Sequence, residues 1–121
     1  MIAAPRLSLS DGSTIPQLGI GTYKVPSDVT AELVAGALAA GYRHVDTAAL
    51  YGNEAEVGAG LRASGLDRDE VFVTTKVWND DQGFDETLRA FDASAARLGL
   101  DRVDLYLIHW PIPSADRYVD T

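Results

Sequence analysis

The sequence predicts an α/β chain of the parallel (β/α) TIM-barrel type, about the first four βα units behind an N-terminal β-hairpin, forming one partial barrel domain over residues 1–121. Three observations carry this prediction. Strand-like apolar runs alternate with helical periodicity at a repeat of roughly 25 to 32 residues, the size of a βα unit in a parallel sheet. The run Glu70-Val71-Phe72-Val73-Thr74-Thr75-Lys76-Val77 is nearly continuous in apolar and β-branched residues, as a strand covered on both faces requires. Asp11-Gly12 stands between two short alternating runs, which is a strong hairpin signal. Four such strands are about half of an eight-stranded barrel, which usually needs ~250 residues. A complete flavodoxin-like open sheet is the structural alternative, and it wants a fifth strand that this sequence does not show.

Each element follows from local signals. Arg6 to Ile15 alternates apolar and polar residues around Ser10-Asp11-Gly12-Ser13 and predicts a two-stranded ribbon. Gln17 to Tyr23 predicts a brief strand ending in Gly21-Thr22, where glycine lets backbone approach a neighbour or ligand. Ser27 is the expected N-cap of a first helix whose Val29, Leu33, Ala37 and Leu38 recur at helical spacing until Gly41 stops it. A strand over Arg43 to Asp46 follows. The second helix is expected from about Asn53, with Asn53 and Glu56 as a capping box and Val57 and Leu61 on its buried face. Gly65 breaks it. The third helix is expected over Phe84 to Leu98, with Leu88, Phe91, Ala95 and Leu98 in one stripe and Gly99 as its stop. In the last strand, Val103, Leu105, Leu107 and His109 share one face by alternation, which puts His109 on the core side, and Trp110-Pro111 ends it.

Composition narrows the function classes. The net charge of -8 disfavours nucleic acid, whose non-specific binding needs basic side chains to neutralise phosphates. The absence of cysteine removes disulfides, a thiolate nucleophile and Cys-based metal sites from consideration. No apolar run approaches the ~20 residues of a transmembrane helix, and the first residues lack the layout of a signal peptide, so a cytoplasmic protein without a membrane partner is expected. Eight of the ten basic residues are arginine, leaving Lys24 and Lys76 as the only lysines. Lys76 stands near the end of a buried-type strand, where its more tunable amine invites a chemical reading.

Asp46, Lys76 and His109 fall at the ends of the second, third and fourth strands, and Tyr51 lies in the loop after the second. Parallel strands bring such ends to one rim, where α/β proteins keep their chemistry. When a hydride attacks a carbonyl carbon, charge grows on the oxygen, and a proton donor placed there lowers the barrier. Tyr51 is the expected donor. A free phenol titrates near ~10, and an ammonium within ~4–6 Å lowers that by one to three units. Lys76 supplies the ammonium, Asp46 keeps it charged and oriented, and His109 donates a second hydrogen bond to the carbonyl oxygen. Taken singly, each residue has a plainer structural use as a helix cap, packing aromatic or solvated charge. Their convergence on one rim is what favours the chemical reading.

The stretch Gly41-Tyr42-Arg43-His44-Val45-Asp46-Thr47-Ala48-Ala49-Leu50-Tyr51-Gly52-Asn53-Glu54-Ala55-Glu56-Val57-Gly58 resembles the signature of the aldo-keto reductase superfamily. The run Arg97 to Pro111 resembles its fourth-strand motif and Thr75-Lys76-Val77-Trp78 its third, so the resemblance spans essentially the whole chain. The wording is most similar to the bacterial diketogluconate-reductase-like subgroup. The resemblance implies an Asp46, Tyr51, Lys76, His109 catalytic tetrad and reduction of aldehydes and ketones with NADP(H). It implies cofactor contacts from Gly21, Thr22, Tyr23 and Asp46, a substrate pocket lined by Tyr23, Trp78, His109 and Trp110, and no metal. It also implies that a later half of the fold holds the rest of the cofactor.

Two other classes stand beside this one. A metal-dependent barrel hydrolase would use His44, Asp46 and His109 as ligands. A catalytically idle half-barrel would serve as an assembly or regulatory module. The edges of an isolated half-barrel also predict self-association.

Overall fold

The computed structural model of the chain describes residues 4–121. Strand β1 (Arg6–Ser8) pairs antiparallel with β2 (Thr14–Pro16), and the turn between them is closed by Asp11, whose Oδ1 accepts from the Ser13 amide at 2.9 Å and its hydroxyl at 2.6 Å. Four parallel strands follow: β3 (Ile20–Gly21), β4 (His44–Asp46), β5 (Phe72–Val77) and β6 (Leu105–Ile108). Their spatial order β3-β4-β5-β6 is their chain order, as βα units winding round a barrel require. Helices α1 (Ser27–Ala39), α2 (Glu54–Ala63) and α3 (Phe84–Leu98) make the connections.

The register decides which residues look where. Val45 lies beside Ile20 and Val73, and these side chains meet the helices. The core there joins Val34 and Leu38 of α1, Val57 and Leu61 of α2, Leu98 of α3, and Val71 and Val73. Each large aliphatic side chain fully buried in it contributes roughly 1.5–3 kcal/mol. By alternation the opposite face of the sheet carries His44, Asp46, Thr74, Lys76 and Leu107.

Several local expectations are corrected. Ser27 is the first helical residue, not the cap: Pro26 holds the cap position, and Thr30 satisfies its carbonyl at 2.8 Å. The buried face of α1 is Thr30, Val34 and Leu38, while Val29 and Leu33 are exposed, because α1 turns Val34 and Leu38 into the core shared with α2 and the sheet. The Asn53 side chain makes no capping bond, being drawn into a neighbouring loop. In α3 the buried positions are Thr87, Ser94 and Leu98, and Leu88 lies exposed. His109 follows a strand whose Leu107 points away from the helix-covered core and is 38% exposed. Pro113–Ala115 and Tyr118–Asp120 form single 3-10 turns where no element was expected. Among the described residues no helix is long and apolar enough to cross a membrane.

Candidate active site

Register places the carboxyl ends of β4, β5 and β6 side by side, and the rim gathers around Lys76. Its Nζ donates to Asp46 Oδ1 and Oδ2, both at 2.8 Å, and to the Thr47 carbonyl at 2.9 Å. The Tyr51 hydroxyl stands 3.4 Å from the same nitrogen. The Lys76 side chain is only 14% exposed, so water competes weakly for it and the carboxylate is its natural counter-ion.

Tyr51 ends a single 3-10 turn, Ala49–Tyr51, and Gly52 turns the chain into α2 with φ 70°, a left-handed conformation that glycine adopts without strain. The phenol ring is hemmed in by aromatics. Tyr23 lies 5.1 Å away, tilted by 45°, and the His109 imidazole meets it edge-on at 5.6 Å. Trp78 also meets His109 edge-on, at 5.3 Å, so the ring of His109 has two aromatic neighbours. Burial, then the nearby Lys76 ammonium, lowers the His109 pKa below its ordinary 6.5, with Asp46 opposing more weakly. His109 is therefore a neutral imidazole near pH 7, and its buried Nδ1 has no hydrogen-bond partner among the described residues.

The other expected site residues are placed as follows. Gly21 lies in register beside Asp46 and has open space where a side chain would stand. Thr22 is buried, and its hydroxyl turns inward to Thr47 Oγ1 at 3.0 Å. Its carbonyl accepts from Asn53 Nδ2 at 2.9 Å, which leaves its side chain and carbonyl engaged within the protein. Tyr23 is 60% and Trp110 58% exposed. Trp110 is anchored through its carbonyl, which accepts from the buried Gln82 amide.

His44 sits below the rim, where its Nε2 meets Thr74 Oγ1 at 3.0 Å and its ring packs edge-on to Phe72. Burial lowers its pKa, with Asp46 pulling the other way. Both Asp46 oxygens face Lys76, and among the described residues no group of three His, Asp or Glu side chains could hold a metal ion.

Sequence reasoning missed three buried polar residues that shape this rim. Asn53 also bonds the Val25 carbonyl at 3.2 Å, clasping the loop that carries Tyr23, and so ties Tyr23 to the Tyr51 turn. Glu54 is buried against Thr75, Ser94 and Arg97, and Gln82 anchors Trp110. Polar side chains at a helix start read as caps in a sequence, and only their observed partners reveal the other use. On the helix side of the sheet, Tyr106 stacks edge-on with Phe91. Burial, with Glu54 and Asp81 adding to it, pushes its phenol up to about 12.

Comparison with known proteins identifies the family. Residues 16–121 match the aldo/keto reductase family. An aldo-keto reductase of Mycolicibacterium smegmatis is 55% identical over 118 residues, which cover 98% of this chain and 43% of that protein. The crystal structure of an aldo/keto reductase from Brucella melitensis superposes with a TM-score of 0.94 at 52% identity, over 99% of this chain and 46% of that one. That of a Bombyx mori aldo-keto reductase in complex with NADP gives 0.88 at 44% identity, over 93% and 40%. The chain thus spans less than half the length of these relatives. Four parallel βα strands in barrel order, a Lys-Asp-Tyr rim, and a match over nearly every residue agree on one assignment: the chain belongs to the aldo/keto reductase family.

Proposed function

We propose that this chain supplies the proton-donating half of an NADP(H)-dependent oxidoreductase that reduces aldehydes and ketones to alcohols, with Asp46, Tyr51, Lys76 and His109 as its catalytic residues. The observation that carries the reading is the Lys76 ammonium, held by Asp46 at 2.8 Å and standing 3.4 Å from the Tyr51 hydroxyl. The rim fits a flat nicotinamide group: the open space at Gly21 lies beside Asp46, and Tyr23 gives an exposed aromatic wall. Gly21, Thr22, Tyr23 and Asp46 would hold it, Thr22 by shaping the turn from within. When bound, the cofactor supplies a hydride to the carbonyl carbon.

The chain's own residues manage the proton. Tyr51 donates its hydroxyl proton to the carbonyl oxygen as negative charge grows there, and the phenolate left behind regains a proton from water. The Lys76 ammonium stabilises that phenolate, and Asp46 keeps the ammonium in place. A neutral His109 carries one N–H, which orients the carbonyl oxygen toward Tyr51 without adding a second positive charge beside Lys76. Tyr23, Trp78 and Trp110 form the apolar walls that favour a carbonyl substrate over water.

The test is NADPH binding by fluorescence titration, followed by carbonyl turnover of the unsubstituted chain and Tyr51→Phe. Binding with a turnover loss of roughly 10²–10⁴-fold on substitution supports the reading. Absence of binding at high cofactor concentration sinks it for this chain and favours the idle-module alternative. Among the described residues the outer edges of β3 and β6 pair with no other strand, and Leu107 and Ile108 are each 38% exposed, which supports self-association as a second reading. A folded monomer in light scattering would refute it.

A further inference from the structure

Glu54 is the one carboxylate that is buried among the described residues, at 1% exposure, and the chemistry above does not use it. It opens α2 three positions after Tyr51, yet makes no capping bond. Its Oε2 accepts from the Thr75 hydroxyl at 2.8 Å. Its Oε1 accepts from Ser94 Oγ at 3.2 Å and from Arg97 Nε and Nη2 at 3.0 and 2.8 Å, which ties it to α3. Thr75 immediately precedes Lys76, and successive strand residues point to opposite faces. The same two segments therefore meet twice. On the open face the Tyr51 hydroxyl stands 3.4 Å from Lys76 Nζ, and on the helix face Glu54 meets Thr75.

The two contacts differ in strength. The front one is long, and within its own turn Tyr51 is held only by its amide bond to the Ala48 carbonyl at 3.1 Å. The rear one is short, buried and charge-assisted, so it is the one able to set the spacing. Gly52 gives the turn freedom to pivot, and its far end is fixed by Asn53 to the Tyr23 loop and by Glu54 to β5, the strand that carries Lys76.

We propose that the Glu54–Thr75 bond, anchored on Arg97, is a positioning device that holds Tyr51 against Lys76 from behind the sheet. Glu54 and Thr75 are positioning residues, since neither touches reacting atoms. The proposal rests on the reading of Tyr51 as proton donor for its consequence, but its geometric content can be measured without turnover.

The experiment is NMR of the 121-residue chain labelled with ¹³C-tyrosine, the Tyr51 ring being assigned by its loss in Tyr51→Phe. Thr75→Val keeps the shape and removes the hydroxyl, and Glu54→Gln keeps the size and removes the charge, which guards against one variant failing to fold. Both are expected to shift and broaden the Tyr51 signal while leaving that of Tyr42 unmoved, and Thr75→Ser is expected to restore it. In turnover assays kcat falls roughly ten- to hundredfold while KM holds, because a displacement of about 1 Å is enough for such a loss. In a Tyr51→Phe background the Thr75→Val change then has no further effect. An unchanged Tyr51 signal in both variants, or a turnover loss that adds fully to that of Tyr51→Phe, overturns the proposal. Full activity in Tyr51→Phe would instead sink the proton-donor reading, and the NMR result would still judge the positioning.

Discussion

Lys76 Nζ lies 2.8 Å from each oxygen of Asp46 while reaching the Tyr51 hydroxyl at 3.4 Å. One ammonium thus links an acid that fixes it to a phenol beside it. Asp46→Asn replaces the counter-ion with a neutral amide of the same shape. Turnover is expected to fall by roughly ten- to hundredfold, the worth of a hydrogen bond to a charged group. Steady-state kinetics check this, and an unchanged kcat would mean that the Thr47 carbonyl alone holds Lys76.

The two histidines predict the acid side of the stability profile. Burial is the main cause that lowers both pKa values below the ordinary 6.5. As pH falls through 6.5 the unfolded chain takes up protons that the folded chain still refuses, so stability drops below that point and is flat in this respect above it. Urea midpoints compared at about pH 7.5 and about pH 5.5 should show the loss, and His44→Asn should reduce it to the share of His109. An equal slope in that variant would remove His44 as a cause.

Two glycines of α2 let three helices close. A side chain at Gly58 would run into the Leu98 carbonyl of α3, and one at Gly60 would come within 2.7 Å of the Ala31 carbonyl and of Val34 Cβ in α1. Alanine is the better helix former, yet Gly58→Ala and Gly60→Ala should each destabilise by about 1–3 kcal/mol through overpacking. Gly36→Ala, with nothing within 4 Å, should instead stabilise by roughly 0.5–1 kcal/mol. Chemical denaturation of the three variants gives the comparison, and equal signs would defeat the packing argument.

Asn53 clasps the Tyr23 loop to the Tyr51 turn through the carbonyls of Thr22 and Val25. Between them Lys24 holds φ 59°, a conformation that costs a non-glycine residue about 1 kcal/mol and that the clasp makes tolerable. Asn53→Ala leaves the Thr22 carbonyl to the Val25 amide and the Val25 carbonyl to the Thr30 hydroxyl, so it should cost about 0.5–1.5 kcal/mol for each bond lost. Loss of the Tyr23 wall should also raise KM for a carbonyl substrate more than it lowers kcat. Urea titration and a kcat against KM comparison test both parts.

The sequence alone determined the order of elements, the limits of α3, the hairpin turn at Asp11-Gly12 and the parallel sheet, because each follows from short-range signals: period, β-branching and turn chemistry. It also brought Asp46, Tyr51, Lys76 and His109 to one rim, since parallel strands in barrel order leave their carboxyl ends no other place. What only the tertiary structure decided is which polar groups pair across elements. Asn53, Glu54 and Gln82 find partners between 21 and 40 residues away, at Thr22, Thr75, Ser94 and Trp110, and nothing in their own surroundings announces it. The same holds for the buried faces of α1 and α3, where packing against neighbouring segments, rather than apolar spacing, chose Thr30 and Ser94 over Val29 and Leu88. Local propensity acts along the chain, whereas burial and hydrogen bonding are settled between segments, and a single sequence records the first far more openly than the second.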